Sequence, residues 1–178
     1  MGDCPIVLWW VRDDLRLADN PALLAAARTG SVVALHVDET IDGVRKLGAA
    51  SRWWLHQSLS ALAADLREHG VPLVVASGDP AEEVPRVVSE LGAARAVWNR
   101  RYHRPQREAD ATVAATLRAR GVETESFASF LLHEPGTVTT ASGTDYQVYS
   151  AFARACRSRP APRPPRPRPY DLRGPVRT

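Results

Sequence analysis

The stretch PIVLWWVRDDLRLADNPALLAAA (residues 5–27) joins an apolar run directly to a cluster of charges. Residues 6–11 are apolar without interruption and include β-branched and aromatic side chains, a pattern typical of a strand buried on both faces. The run stops at Arg12. Asn20 followed by Pro21 then marks a helix start, with a capping side chain and proline at the first helical position. This stretch therefore predicts the opening strand, charged turn and helix of an α/β domain.

The same alternation continues along the chain. Further strands are predicted at 31–37, 72–77, 94–99 and 122–127, and helices at 21–29, 49–69, 80–91 and 105–120. Because strands and helices alternate, we expect an α/β fold: a doubly wound, five-stranded parallel sheet of the Rossmann-like type with helices on both faces.

Past Phe130 the sequence becomes rich in turn residues, and a short helix is predicted at 149–156. Residues 157–178 hold seven of the fourteen prolines, which excludes a helix or a central strand. We expect an extended connector with no binding role of its own, although its arginines would suit a polyanion. The predicted organisation is an α/β domain at 1–135, an exit loop with a short helix at 136–156, and a linker at 157–178.

The basic character of the chain comes from this linker. It contains seven arginines and one aspartate, so its net charge is +6, whereas the whole chain carries +3. Residues 1–156 therefore carry −3, and the overall charge does not predict a basic folded body. No long apolar run or secretory signal is visible, so we expect a cytoplasmic protein with no membrane partner.

Residues that follow the predicted strands are the candidates for ligand contact, because open α/β sheets bind ligands beyond the carboxyl ends of their strands. His36 and His103 lie at such ends. Neither G-x-G-x-x-G nor G-x-x-x-x-G-K-[ST] occurs, no nucleophile–base pair is legible, and no metal-ligand spacing is present. The residues themselves therefore predict a rim that can hold a ligand, with no catalytic residue and no metal site.

Four blocks of the sequence resemble the DNA photolyase/cryptochrome family. LWWVRDDLRLADNPAL is similar to the family's opening W-x-R-x-D-L-R-x-x-D-N-x-A-L, and GTDYQVYSAF matches its G-T-x-Y-x-V-Y-x-x-F. SRWWLHQSLSALAADLREHGVPLVVASGDP and AVWNRRYHRPQREAD agree with intervening blocks in the same order. The resemblance extends over residues 6–156.

The resemblance implies the N-terminal, antenna-type domain of a deoxyribodipyrimidine photolyase, which repairs pyrimidine dimers in DNA with light. It places FAD, the electron-transfer tryptophans and most DNA contacts in a separate helical domain outside these 178 residues. This chain alone would then be catalytically incomplete, and damaged DNA would be a partner only of the full-length protein. A cryptochrome photoreceptor domain, a stand-alone nucleotide-binding module and a purely structural or interaction domain are the alternatives.

The resemblance also implies roles for individual residues. Asp14 and Arg16 are expected to pin the turn through charge-assisted bonds, and Arg12 to face the rim. Family members with a folate or deazaflavin antenna usually offer an acid after the fourth strand. Here Asn99 is followed by Arg101 and His103, which suit an anionic ligand.

Two further positions complete the predicted cofactor-binding set. The resemblance places Arg52 near the deazaflavin of some members, and His36 is the corresponding rim residue of the second strand. The candidate cofactor-binding residues are therefore Arg12, His36, Arg52, Asn99, Arg101 and His103. An antenna is expected to be a deazaflavin or a folate, and the sequence leaves its identity and its presence open.

The four aromatic residues Trp53, Trp54, Tyr149 and Phe152 are expected to lie on an exposed apolar face. The resemblance implies that the missing FAD-binding helical domain covers such a face. Without that domain, the face also predicts self-association of the chain.

Overall fold

The computed structural model describes residues 4–175. Strands and helices alternate through the first three quarters of the chain, and one more helix follows a long irregular segment. The elements are β1 (Ile6–Trp10), α1 (Pro21–Thr29), β2 (Ser31–Glu39), α2 (Ala49–Glu68), β3 (Leu73–Gly78), α3 (Pro80–Leu91), β4 (Arg95–Asn99), α4 (Arg104–Ala119), β5 (Glu123–Phe127) and α5 (Tyr149–Arg157).

The five strands form one parallel sheet in the order β3-β2-β1-β4-β5. Trp10, the last residue of β1, pairs with Leu35 of β2 on one side and with Trp98 of β4 on the other. The predicted doubly wound sheet is confirmed. The strand order reverses between β1 and β4, so the carboxyl ends of these two strands flank the crevice in which such folds bind ligands.

Successive residues of β1 build two hydrophobic cores, because neighbouring side chains of a strand point to opposite faces. Trp9 lies in the core covered by α1 and α2, and Trp10 lies in the core covered by α3 and α4. Both tryptophans are fully buried. Helices therefore cover both faces of the sheet, which explains why β1 is apolar at every position.

The predicted helix starts are also confirmed. The Asn20 side chain accepts a hydrogen bond of 3.1 Å from the backbone N–H of Leu23, and Pro21 opens α1. In α3 the Asp79 side chain accepts a hydrogen bond of 2.8 Å from the N–H of Ala81. These caps satisfy backbone N–H groups that a helix leaves free at its first turn.

The segment between β5 and α5 is held against the end of β4. Glu134 forms an ion pair of 3.0 Å with Arg100 and accepts a hydrogen bond from the hydroxyl of Tyr102. Burial, together with this contact to Glu134, raises the pKa of Tyr102 to about 12. The hydroxyl therefore stays protonated at neutral pH and donates to the carboxylate.

The proline-rich tail is extended, as predicted, but it is docked on the domain. The carbonyl of Arg166 accepts a hydrogen bond of 2.9 Å from the N–H of Asp19, just before α1. The carbonyl of Arg173 accepts one of 2.8 Å from the N–H of Val32, just after α1. Leu172, only 5% exposed, packs into the core under α1 and α2. The tail thus runs alongside α1 and belongs to the folded unit.

Gly174 shows how closely the tail approaches the body. A Cβ added there would lie 1.9 Å from the carbonyl oxygen of Gly70, so only glycine fits at this contact.

The predicted exposure of the four aromatic residues is confirmed. Trp53 and Trp54 of α2 are 62% and 68% exposed, and Tyr149 and Phe152 of α5 are also exposed. Among the described residues, no helix is long and apolar enough to cross a membrane. The proposed self-association stays a prediction.

Candidate functional site

A buried cluster of one carboxylate and two amides fixes the turn after β1. The side-chain NH2 of Asn20 donates to Asp14 Oδ2 at 3.0 Å, and the NH2 of Asn99 donates to the same oxygen. Asn99 also donates to Asn20 Oδ1 at 2.9 Å, and its own Oδ1 accepts from the N–H of Ala22 at 3.2 Å. The cluster therefore ties the end of β4 to the start of α1.

The turn is pinned as expected, but the bonds differ from the predicted ones. Asp14 is held by amide groups, whereas Arg16 is exposed and donates to the carbonyl of Asp19 at 3.1 Å and to Ser129 Oγ at 3.2 Å. Of these two predicted residues, only Asp14 therefore carries its charge inside the protein, where this residue is 3% exposed.

Arg12 is buried over the face of Trp10. Its guanidinium carbon lies 4.2 Å from the Trp10 ring centroid, within the range of a cation–π contact. Nη1 donates to Asp110 Oδ1 of α4 at 2.8 Å, and Nη2 donates to the carbonyl of Asn99. The first residue of the charged motif thus links β1, β4 and α4.

Arg101 extends this contact into a chain of four charges. Its Nη2 donates to Asp110 Oδ1 at 2.6 Å, and its Nη1 donates to Glu39 Oε2 at 2.5 Å. Its guanidinium carbon lies 5.6 Å from the Trp10 centroid. We call Arg12, Asp110, Arg101 and Glu39 the buried ion-pair chain. Its two cations and two anions compensate one another.

Burial and pairing set the pKa values in this chain. Burial lowers the pKa of Arg12, although Asp110 opposes the shift. Burial also disfavours the charge of Arg101, but Glu39 and Asp110 together outweigh it and raise the pKa of Arg101. Burial raises the pKa of Glu39, partly offset by Arg101. For Arg12, Arg101 and Glu39, the opposite charge in contact offsets part or all of the effect of burial.

A cavity of about 280 Å³ opens beside the ion-pair chain at the carboxyl ends of β1, β2 and β3. Buried residues on its lining are Arg12, His36, Val37 and Arg101. The other lining residues come mainly from the segment after β2 and from the start of α2: Asp13, Asp38, Glu39, Thr40, Ile41, Val44, Arg45, Lys46, Leu47, Arg52, Leu55, Ser77 and Gln106.

The structure brings four of the six predicted cofactor-binding residues together. Arg12, His36, Arg52 and Arg101 line this one cavity. Asn99 does not line it, since both ends of its amide are used in the turn cluster. His103 does not line it either; it is exposed at the N-cap position of α4 and its side chain caps no N–H.

His36 lies at the inner part of the cavity lining as a neutral group. Its Nδ1 lies 3.3 Å from the carbonyl oxygen of Val11, and burial lowers its pKa below the ordinary histidine value. Arg52, by contrast, is exposed and donates from Nε to the carbonyl of Leu47 at 3.1 Å.

Glu39 and Asp110 are the site residues that sequence reasoning missed. The absence of an acid after β4 suggested a cationic site, but these two carboxylates arrive from β2 and α4 and neutralise Arg12 and Arg101. The helical spacing of the sequence could have identified Asp110. It shares one helical face with Val113, Ala114 and Leu117, all buried, so a charge at position 110 had to meet a partner inside the protein.

The fold and this rim define a photolyase-type α/β domain. A family model described as DNA photolyase matches residues 7–169, so the chain belongs to the DNA photolyase family. It is 42% identical over 172 residues to the deoxyribodipyrimidine photo-lyase of Agrobacterium fabrum and 38% identical over 161 residues to cryptochrome-1 of Arabidopsis thaliana.

The similarity includes the three-dimensional structure. The crystal structure of a bacterial class III photolyase from Agrobacterium tumefaciens superposes with a TM-score of 0.88 at 40% identity and covers 98% of this chain. The chain spans only part of these proteins: 96% of it aligns with 35% of the A. fabrum relative, and 89% of it with 23% of the cryptochrome. It therefore corresponds to one domain of longer proteins.

The turn cluster is tested by an isosteric pair of substitutions. Asp14→Asn places an NH2 group or a weaker acceptor against the donors of Asn20 and Asn99, so we expect a loss of about 1–3 kcal/mol in unfolding free energy. The neighbouring exposed residue provides the control, since Asp13→Asn removes the same charge without a buried partner. Urea unfolding followed by circular dichroism measures both, and equal effects would contradict the assignment of Asp14.

Proposed function

We propose that this domain acts within a DNA photolyase, where it holds a light-harvesting chromophore in the rim cavity and packs against a flavin-binding helical domain. Identity of about 40% to the Agrobacterium photolyase over nearly the whole chain, with the same fold, carries this proposal. Members of the family bind chromophores such as FAD and an antenna cofactor. FAD is expected in the helical domain and the antenna in this one.

The rim cavity suits one planar ring system. Its volume of about 280 Å³ lies just below the usual range for ligand pockets, which is roughly 300–1,000 Å³. Apolar side chains of Ile41, Val44 and Leu55 line it beside polar groups. Such a lining buries ring faces while a few polar groups fix the orientation.

Two orphaned polar atoms beside the cavity favour a pterin-type ring. Glu39 Oε1 and Arg101 Nε are buried without a hydrogen-bond partner, although the same two side chains form an ion pair through their other atoms. One is an acceptor and the other a donor. A ring edge that presents an N–H beside an acceptor atom would satisfy both, as an aminopyrimidine ring does.

The exposed cations at the cavity favour the same ligand. Arg12 and Arg101 are compensated internally, but Arg45, Lys46 and Arg52 line the cavity and form no ion pair among the described residues. They suit the carboxylates of a glutamyl tail. A folate, which carries both a pterin ring and glutamyl carboxylates, therefore fits both features of this site. When bound, it would absorb light and pass the excitation to the flavin.

Chromophore binding is tested with the chain itself and 5,10-methenyltetrahydrofolate, followed by fluorescence titration. We expect saturable binding that Val44→Trp weakens by about tenfold or more, since the added ring occupies the cavity. Val75→Trp is the matched control, because Val75 is 61% exposed on β3 and does not line the cavity.

Three other outcomes of this titration would contradict part of the proposal. Binding of 8-hydroxy-5-deazariboflavin in place of the folate would overturn the identity of the chromophore. Binding of neither compound, or equal effects of the two tryptophan substitutions, would overturn the antenna role of the cavity.

A cryptochrome-type photoreceptor is the second candidate, favoured by the 38% identity to cryptochrome-1 of Arabidopsis. The two candidates differ in whether light drives bond cleavage in DNA. We expect a protein that joins this domain to its flavin-binding domain to remove cyclobutane pyrimidine dimers from an oligonucleotide in blue light. Chromatography of the oligonucleotide measures the repair. Full flavin photoreduction without any loss of dimers would favour the cryptochrome.

A further inference from the structure

The docked tail presents its arginines at fixed positions. Asp19 holds it through three contacts: its N–H donates to the Arg166 carbonyl, and its Oδ1 accepts from the Arg166 N–H at 3.1 Å and from Arg163 Nη1 at 2.7 Å. Pro169 and Leu172 are buried against the body. Because the backbone is held by the fold, little conformational freedom is left to lose when the outward side chains bind a partner.

The charge of this tail is largely uncompensated. Between residues 157 and 175 there are six arginines, all exposed, and the one acid is Asp171. Among the described residues, Arg163 is the one tail arginine that forms an ion pair. The side chains of Arg166 and Arg168 form no hydrogen bond or ion pair in the part of the chain that the structure describes. This surface therefore carries free positive charge.

A groove between the tail and α1 continues the charged surface. It measures about 390 Å³ and is lined by Leu24, Ala27 and Arg28 of α1 and by residues 166–171 of the tail. Tyr170, which is 92% exposed, stands beside it. We call Arg28, Arg163, Arg166 and Arg168 the basic strip. A row of cations next to an open aromatic ring is the composition of surfaces that track a nucleic-acid strand.

The shape of the strip fits a linear polyanion better than a membrane. At about 3.1 Å per residue, the extended stretch 159–168 covers up to roughly 28 Å. One strand of B-form DNA carries about eight phosphates over that length. A membrane-binding segment would instead turn apolar side chains outward. Here Pro169 and Leu172 turn inward.

We propose that the basic strip is a second, sequence-independent DNA contact that binds the phosphodiester backbone without the helical domain. It lies along α1 and the tail, apart from the chromophore cavity. It does not depend on the proposed antenna, and it can be measured in the dark with the chain alone.

Fluorescence anisotropy with a labelled 20-nucleotide single strand and the matching duplex tests this inference at several salt concentrations. The test variant is Arg166→Gln/Arg168→Gln, which removes two charges whose side chains form no hydrogen bond or ion pair among the described residues. Its control is Arg107→Gln/Arg118→Gln, which removes the same charge from exposed positions of α4, on the opposite face of the sheet. Thermal melting by circular dichroism establishes that both variants keep the stability of the parent chain.

We expect the parent chain to bind and the tail variant to lose two phosphate contacts. For the single strand, the plot of the logarithm of the association constant against the logarithm of salt concentration should become shallower by about 1.4. The affinity at 0.1 M salt should fall by roughly 25-fold. The control variant should keep the parent slope. If Tyr170→Ala lowers the affinity for the single strand but not for the duplex, the strip binds an unpaired strand through base stacking. If the duplex binds and its affinity is unchanged by Tyr170→Ala, the strip binds duplex DNA. Both results support the basic strip as a DNA contact.

Three results would overturn the inference. They are the absence of binding to either oligonucleotide at 0.05 M salt, an equal loss in the tail and control variants, and preferential binding to phosphatidylserine vesicles over DNA.

Discussion

The carboxyl edge of the sheet depends on how two arginines are kept charged inside the protein. Arg12 and Arg101 lie over the ring of Trp10, and both donate to the single carboxylate of Asp110. Moving a charged side chain from water into the protein interior costs several kcal/mol per ion. This cost is recovered only when the pairing geometry is good. With Glu39 as the fourth member, each arginine has at least one carboxylate in contact. The edge can therefore be tightly packed and highly charged at the same time.

This interaction connects the fold to the site. The ion-pair chain joins the end of β1, the end of β2, the loop after β4 and helix α4. The adjoining cluster of Asp14, Asn20 and Asn99 joins β4 to the start of α1. Both lie at the reversal of strand order, where a parallel sheet opens a crevice. The charged motif after β1 is thus mainly structural, and the cavity that it borders takes its free cations from Arg45, Lys46 and Arg52.

Much of this fold could be predicted from the sequence, because each element carries a local signal. The unbroken apolar run of β1, the Asn20–Pro21 helix start and the Asp79 cap all describe what neighbouring residues do. The partners in the site could not be read in this way. Glu39 and Arg101 are 62 residues apart, and Arg12 and Asp110 are 98 apart. Only the register of the sheet and the rotation of α4 bring them into contact.

The tail shows the same limit. Its prolines correctly predicted an extended chain, but the docking of Leu172 and Gly174 depends on a gap beside α1 and α2 that no local pattern reveals. A segment expected to be only a connector therefore completes one of the two cores, and it brings its arginines to a defined surface.

The stability of the protein without Asp110 tests the role of the ion-pair chain most directly. Asp110→Asn leaves two guanidinium groups buried with less compensation, and we expect urea unfolding to show a loss of about 3–5 kcal/mol. Glu108→Gln is the matched comparison, because Glu108 lies two residues before Asp110 on the same helix. This substitution breaks an exposed ion pair of 2.8 Å between Glu108 and Arg104. That change should cost less than about 1 kcal/mol. Equal and small losses for both variants would contradict the claim that the edge is organised by its buried charges.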